Sequence, residues 1–371
     1  MSLAAPLSSL IDLAFAPLRR FLEAPDVVEI CINEPGAVFV EHAGGSSGAA
    51  MVRHELAELT AERIRFMAER VAAASHQFVN DEEPLLSAAL PNGARVQVVL
   101  PPAAPQGGAI VIRRQVARRL LLSDYAASGA LDSAVVTDGS HEFTDDESDL
   151  CNLLAEGDIW TFLRQAVRRR VSIMVSGGTG SGKTTFLNAL MLEIPPHERL
   201  ITIEDTPELT PQQANHVRLI ATRGNQNIAR IEPRHLVEAS LRMRPDRLLL
   251  GEVRGGEALD FLQAINTGHP GSLSTVHANS PRDAYTRLAL LIMQSGAGGG
   301  LGLSRNEIIE TLRTTLPLVI QVGRRDGRPG AVTEIFYDPF VRAKWQPAAV
   351  LKSKDPIRFP EGGIASMGRN Q

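Results

Sequence analysis

Gly177-Gly-Thr-Gly-Ser-Gly182-Lys183-Thr184 decides how this chain is read. It fits the pattern G-x-x-x-x-G-K-[ST]. An apolar run, Val171–Ser176, precedes it, and a helical run, Thr184–Leu192, follows. Strand into glycine loop into helix is the context that phosphate binding needs. Glycines let successive backbone N–H groups converge on phosphate oxygens. The helix N-terminus adds positive partial charge. Gly178, Thr179, Gly180, Ser181 and Gly182 form the expected cradle, with Thr184 and Thr185 opening the helix. Lys183 is placed to bridge the β- and γ-phosphates, and Thr184 to offer its hydroxyl to Mg²⁺. The expected ligands are therefore ATP and Mg²⁺.

Working outward, short apolar runs alternate with helical ones. Val171–Ser176, Leu200–Ile203, His216–Ile220, Arg247–Leu250 and Ser272–Val276 read as strands, and this βαβ rhythm predicts a mostly parallel sheet. Leu316–Val322 and Ala331–Tyr337 read as further strands. Open α/β sheets bind ligands outside the carboxyl ends of their strands. Glu204 and Asp205 stand at one such end and Glu252 at another. Glu252 is the candidate to orient or deprotonate an attacking water. Gly251 stands before it, where a generic Walker B strand has Asp, so Mg²⁺ is expected to rest on Thr184, with Glu252 and Glu204 reaching it through water. His277 closes Ser272–Val276 and is placed to sense the γ-phosphate.

The amino-terminal part has another pattern. Two apolar runs flank Asn33-Glu34-Pro35-Gly36 like a hairpin. Residues 57–76 put Leu59, Ile64, Met67, Ala68 and Val71 on one helical face. Arg95–Leu100 and Ala109–Arg113 read as strands joined by a Pro/Gly loop, making this a smaller α+β domain over 1–136. Residues 137–149 are acidic, turn-rich and without an apolar period, so 137–157 is expected to be a linker. A RecA-like unit then spans 158–347, with Asp158 capping its first helix, and a frayed tail fills 348–371. Gly296–Gly300 reads as a flexible loop. From Leu7 to Leu22 a basic amphipathic segment breaks near Pro17; packing on its own domain is the favoured reading, with membrane contact the alternative.

Composition narrows the function. With 371 residues the chain is long enough for two cores, and apolar residues make up 44% of it. A net charge of −4 and 5% aromatics argue against broad electrostatic or stacking contact with nucleic acid. The two cysteines, Cys31 and Cys151, form no metal-binding or disulfide pattern, and Cys31 reads as a buried strand residue. No stretch reaches the roughly 18–20 apolar residues of a membrane span. The expected location is cytoplasmic.

Four boxes in order carry a family resemblance. Gly177–Thr184, Leu200–Asp205, Arg244–Glu257 and Asn266–Ser280 resemble the Walker A, Asp box, Walker B and His box of the type II/IV secretion NTPases, in which the Gly-Glu pair is normal. Pro25–Glu41, Pro91–Val98 and Ile112–Arg114 look like the amino-terminal half of the VirB-type traffic ATPases of type IV secretion. This resemblance implies an α/β fold, a RecA-like P-loop NTPase domain preceded by a PAS-like one. It also implies a homo-hexameric ring, peripheral at the inner membrane, that works with other secretion ATPases, a coupling protein and the inner-membrane channel. By the same resemblance Arg95 and Arg113 reach the nucleotide. Motors of type II secretion and of pilus assembly or retraction share the boxes and are the closest rival. A nucleic-acid translocase and a nucleotide-gated scaffold are more remote.

Overall fold

A computed structural model describes residues 10–43, 50–90, 92–114, 121–132, 134, 144–222, 229–295 and 303–339. The expectations for the tail after 348, for Gly296–Gly300, for Leu7 to Ser9 and for 137–143 fall outside the described residues.

The amino-terminal part opens with a short helix α1 (Arg19–Glu23), then β1 (Val27–Ile32), β2 (Gly36–His42), β3 (Val52–Leu56), α2 (Ala61–Ala74), β4 (Leu85–Ala89), β5 (Arg95–Val99), β6 (Ala109–Arg113) and α3 (Leu122–Ala127). Its strands form one six-stranded sheet in the order β3-β2-β1-β6-β5-β4, with antiparallel neighbours. Thr60 sets the start of α2 by accepting from Arg63 N at 3.2 Å, satisfying a free amide of the first turn. Ile64, Met67, Ala68 and Val71 of α2 are fully buried and meet Ile30, Ile32, Val98 and Ile110 from one face of the sheet. Each fully buried Ile, Met or Val side chain among them contributes about 1.5–3 kcal/mol. Ala14, Phe15, Leu18 and Phe21 join the same core. The amphipathic start therefore packs on its own domain, with a 3₁₀ turn at Ala16–Leu18 where Pro17 breaks it.

The second part follows the alternating rhythm. It comprises α4 (Asp145–Glu156), α5 (Ile159–Arg168), β7 (Ile173–Ser176), α6 (Lys183–Met191), β8 (Leu200–Glu204), β9 (His216–Ile220), α7 (Pro233–Leu241), β10 (Arg247–Leu250), α8 (Glu257–Asn266), β11 (Leu273–Val276), α9 (Pro281–Gln294), α10 (Arg305–Thr315), β12 (Leu318–Arg325) and β13 (Arg328–Tyr337). The seven strands run β13-β12-β7-β11-β10-β8-β9, all parallel except β13. The expected linker needs correcting at 145–156, which is helix α4. Its acidic residues Asp145, Asp146 and Glu147 occupy the first turn, where they suit the helix dipole. Thr144 and Glu147 cap it reciprocally, and Leu150 is buried against Phe162 and Val167. The acids that look like a solvated loop in sequence are an N-terminal cap. Asp158 caps α5 as expected, accepting from Thr161 N at 3.1 Å.

The second face of the first sheet is also apolar. Cys31, Phe39, Val99 and Val111 belong to one cluster with Val217, Leu219 and Ile231 of the second part. Polar groups tie the junction: Ile220 N donates to Ala103 O at 2.8 Å and Asn33 Nδ2 to Asn215 Oδ1 at 2.9 Å. Arg199 adds bonds to Asn33 Oδ1 at 2.6 Å and to Met243 O at 3.0 Å. Arg244 reaches Glu41 at 2.6 Å and Glu29 at 3.6 Å.

Candidate active site

The glycine loop leaves β7 at Ser176 and enters α6 at Lys183. Gly182 stands at the helix cap with φ +91°, a conformation side-chain residues avoid. The lysine is largely buried, and its Nζ donates to Gly178 O at 3.0 Å. Burial lowers its pKa, the charge of Glu252 opposes that and Arg254 adds to it.

Two neighbouring strand ends supply the rest. His277, after β11, has Nδ1 3.5 Å from Lys183 Nζ and Nε2 3.1 Å from Glu252 Oε1. This suits the tautomer with its hydrogen on Nε2, a weak bond on the lysine side and a firm one to the carboxylate. Burial pushes the Glu252 carboxyl up, but the Arg254 hydrogen bond, His277 and Lys183 outweigh it and hold the pKa below the usual range. Glu252 is thus an ionised carboxylate. Arg254 spans two acids, 2.7 Å from Glu252 Oε2 and 3.4 Å from Asp205 Oδ2. Thr184, Glu204, Asp205, Glu252 and Arg254 line one cavity of about 110 Å³.

Glu204 is buried, and its Oε1 accepts from Glu208 N and Leu209 N, both at 2.7 Å. Burial raises its pKa, and those two amides pull it back. Its first task is to hold the turn after β8. The same residue explains Gly251: a Cβ there would lie 3.2 Å from Glu204 Cγ, tighter than ordinary packing. An aspartate in the generic Walker B place would press on Glu204, which would have to give by a few tenths of an ångström.

The structure therefore brings together Lys183, Thr184, Glu204, Asp205, Glu252 and His277. It does not bring Arg95 and Arg113 to this cavity within one chain. They are direct cross-strand partners on β5 and β6, hence on one face, and both are exposed. Arg113 is also opposite Glu29, which meets Arg244 before β10. In the row Arg95–Arg113–Glu29–Glu41, the two acids meet Arg244 ahead of the amino end of β10, the end opposite the phosphate loop.

Sequence reasoning passed over Arg254 and Glu257, although both lie in the third box. Buried Glu257 accepts from Arg254 N at 2.7 Å and Gly255 N at 2.8 Å, fixing the turn that presents Arg254. The signal was present: a basic residue two positions after the candidate base, with an acid three further on.

A strand–glycine loop–helix at the head of a β13-β12-β7-β11-β10-β8-β9 sheet, with a carboxylate just past β10 and a histidine just past β11, defines a RecA-like P-loop NTPase domain. Comparisons with known proteins narrow this. Residues 150–326 match the model of the type II/IV secretion system protein family. The VirB11 type IV secretion protein of Bartonella quintana is 38% identical over 334 residues, covering 87% of this chain and 92% of that protein. A homolog of the type IV secretion protein PtlH from Bordetella bronchiseptica is 39% identical over 331 residues, 88% of this chain and 95% of that protein. The crystal structure of the Brucella suis VirB11 ATPase in complex with sulphate superposes with a TM-score of 0.82 at 36% identity, covering 90% of this chain and 99% of that one. The chain belongs to the VirB11 family of type IV secretion system proteins, and the rival type II and pilus reading gives way to it.

Proposed function

We propose that this chain hydrolyses ATP to ADP and phosphate and, as a homo-hexamer, drives a type IV secretion system. The observation that carries the reading is the line Lys183–His277–Glu252, with links of 3.5 and 3.1 Å, at the carboxyl ends of adjacent parallel strands. Lys183 would meet the β- and γ-phosphates, and the loop amides would take up their remaining charge. Glu252, ionised and aimed by His277 and Arg254, orients a water and accepts its proton at a carboxylate oxygen. His277 Nε2–H keeps the carboxylate in place and links it to the lysine, so loss of the γ-phosphate is felt at the base.

Mg²⁺ fits the donor set present. Thr184 shares its cavity with Glu204, Asp205 and Glu252, and no cluster among the described residues is built to hold a metal by itself. Such a set suits an ion that arrives with the phosphates and keeps most of its waters. When bound it neutralises charge on the phosphate oxygens.

No helix among the described residues is long and apolar enough to cross a membrane. A peripheral place at the cytoplasmic face of the inner membrane fits this, with the secretion channel, other secretion ATPases and a coupling protein as partners. The position of Arg95 and Arg113 supports action across a subunit boundary: they are exposed and do not line the cavity beside their own phosphate loop. From a neighbour, a guanidinium pair could hold transferring phosphate in two parallel bonds.

Turnover measured on purified, Mg²⁺-supplied protein tests the reading. Lys183→Ala is expected to lose at least about 10²-fold in rate. Near-normal turnover would remove the loop from the chemistry. Mixing Arg113→Ala with Lys183→Ala subunits then locates the arginines. Activity regained in the mixture means action between subunits, and none means action within one. Full activity of Arg113→Ala alone discards its role.

A further inference from the structure

No motif singled out the outer wall of the phosphate loop. β12 pairs in parallel with β7, so the β12–β13 hairpin rises beside the loop that follows β7. Gly330 N donates to Ser181 O at 2.8 Å, and Arg324 Nε donates to Gly180 O at 3.3 Å. The approach is close. A Cβ on Gly182 would lie 3.0 Å from Gly330 N, and one on Gly180 would lie 2.9 Å from Arg324 Nη2. Gly182 is therefore held tight by hairpin backbone as well as by phosphate, and a side chain at Gly180 would displace the Arg324 guanidinium.

The sheet order gives this wall a side. The other neighbour of β7 is β11, which leads to His277, and β10 beyond it leads to Glu252. Those residues mark the terminal-phosphate end. A nucleotide seated on the loop must extend the other way, past Gly180 toward β12. Arg324 stands there, exposed. Its Nε is engaged by the loop carbonyl, and among the described residues no carboxylate pairs with its guanidinium. A guanidinium anchored at one nitrogen presents its two terminal N–H groups as a fork that matches phosphate oxygens.

We propose that Arg324 is a nucleotide-binding residue, holding the α-phosphate from the nucleoside side, and that the β12–β13 hairpin is the outer wall of the site. The assignment rests on the reading of the loop as a nucleotide site. It divides the work: Lys183, His277 and Glu252 act on the phosphate that leaves, and Arg324 on the part that stays. Arg324 should therefore govern affinity for ATP and ADP alike and contribute little to the chemical step.

Calorimetric titration of the full chain with Mg·ADP and with Mg·pyrophosphate tests this, alongside KM and kcat for ATP. In Arg324→Ala, ADP affinity is expected to fall about tenfold and KM for ATP to rise by a similar factor, with kcat within about twofold. Pyrophosphate, which has no α-phosphate or nucleoside, should bind as to the wild type. Arg324→Lys keeps the charge and should recover part of the lost affinity. Unchanged ADP affinity in Arg324→Ala overturns the proposal. An equal loss for pyrophosphate also overturns it, because the arginine would then be bracing the loop. A wild-type chain that binds neither probe would instead bring down the nucleotide reading itself.

Discussion

The two ends of β10 carry the same kinds of residue and use them in opposite ways. At the amino end, Arg247 is fully buried and clasps Glu198 with two bonds, Nε to Oε2 at 2.7 Å and Nη2 to Oε1 at 2.9 Å. Its Nη1 also donates to Val167 O at 2.7 Å and Gly271 O at 3.3 Å, so all three of its nitrogens bond fixed acceptors. Arg244 nearby is shared among Glu29, Glu41 and Asp246 across the junction of the two domains. At the carboxyl end, Arg254 is about half exposed and Glu252 partly so. Their bond is single and open to water, and a ligand can displace it at small cost. Buried, multiply bonded charges make architecture, because removing a partner strands the other in low dielectric. Half-exposed pairs make chemistry, because they can be exchanged.

That contrast can be broken at several points. The largest expected effect is at the carboxyl end. Glu252→Gln keeps the shape and removes the base, so turnover should fall about 10³-fold while nucleotide still binds. Melting should be near that of the wild type. Binding and turnover lost together would move Glu252 from the chemistry to the fold.

At the amino end the order reverses. Arg247→Met leaves buried Glu198 with Arg170 alone, 3.3 Å from its Oε2, and should cost about 3 kcal/mol of stability, read by denaturant unfolding of the full chain. Adding Glu198→Leu should recover part of that loss, since an apolar pair removes the buried charge as well. A single variant as stable as the wild type would show that the clasp is not structural.

A smaller effect sharpens the comparison through pH. Burial raises Glu29 to about 7, against the pull of Arg244 and Arg113, from an ordinary value of 4.5. Folding thus favours its protonated form. The stability this contributes is fully present below about pH 4.5 and lost as pH rises through about 7. Glu29→Gln should melt close to the wild type at pH 5 and gain about 2 kcal/mol over it at pH 8. Parallel melting curves across that range would contradict the assignment. The carboxylate at the other end, Glu252, is held low and should show no such rise.

What the sequence determined lies in local spacing. The phosphate loop, its flanking strand and helix, and the strand ends bearing Glu204, Glu252 and His277 follow from patterns only a few residues long. Periodicity alone assigns α2 and the buried place of Cys31, because one apolar face has to be covered. The acidic stretch reads as a loop for a physical reason: charges that avoid a core also favour the first turn of a helix, and only the packing of Leu150 separates the two. Long-range geometry belongs to the tertiary structure. It alone sets β12 beside β7 and so brings Arg324 to Gly180, 144 positions away in the chain. It alone seats Glu204 against Gly251. It also keeps Arg95 and Arg113 out of their own chain's cavity, because the apolar face shared by Cys31, Val99, Val217 and Leu219 fixes how the domains dock. Burying that face gains free energy in proportion to its area, and no local pattern records which other surface will cover it.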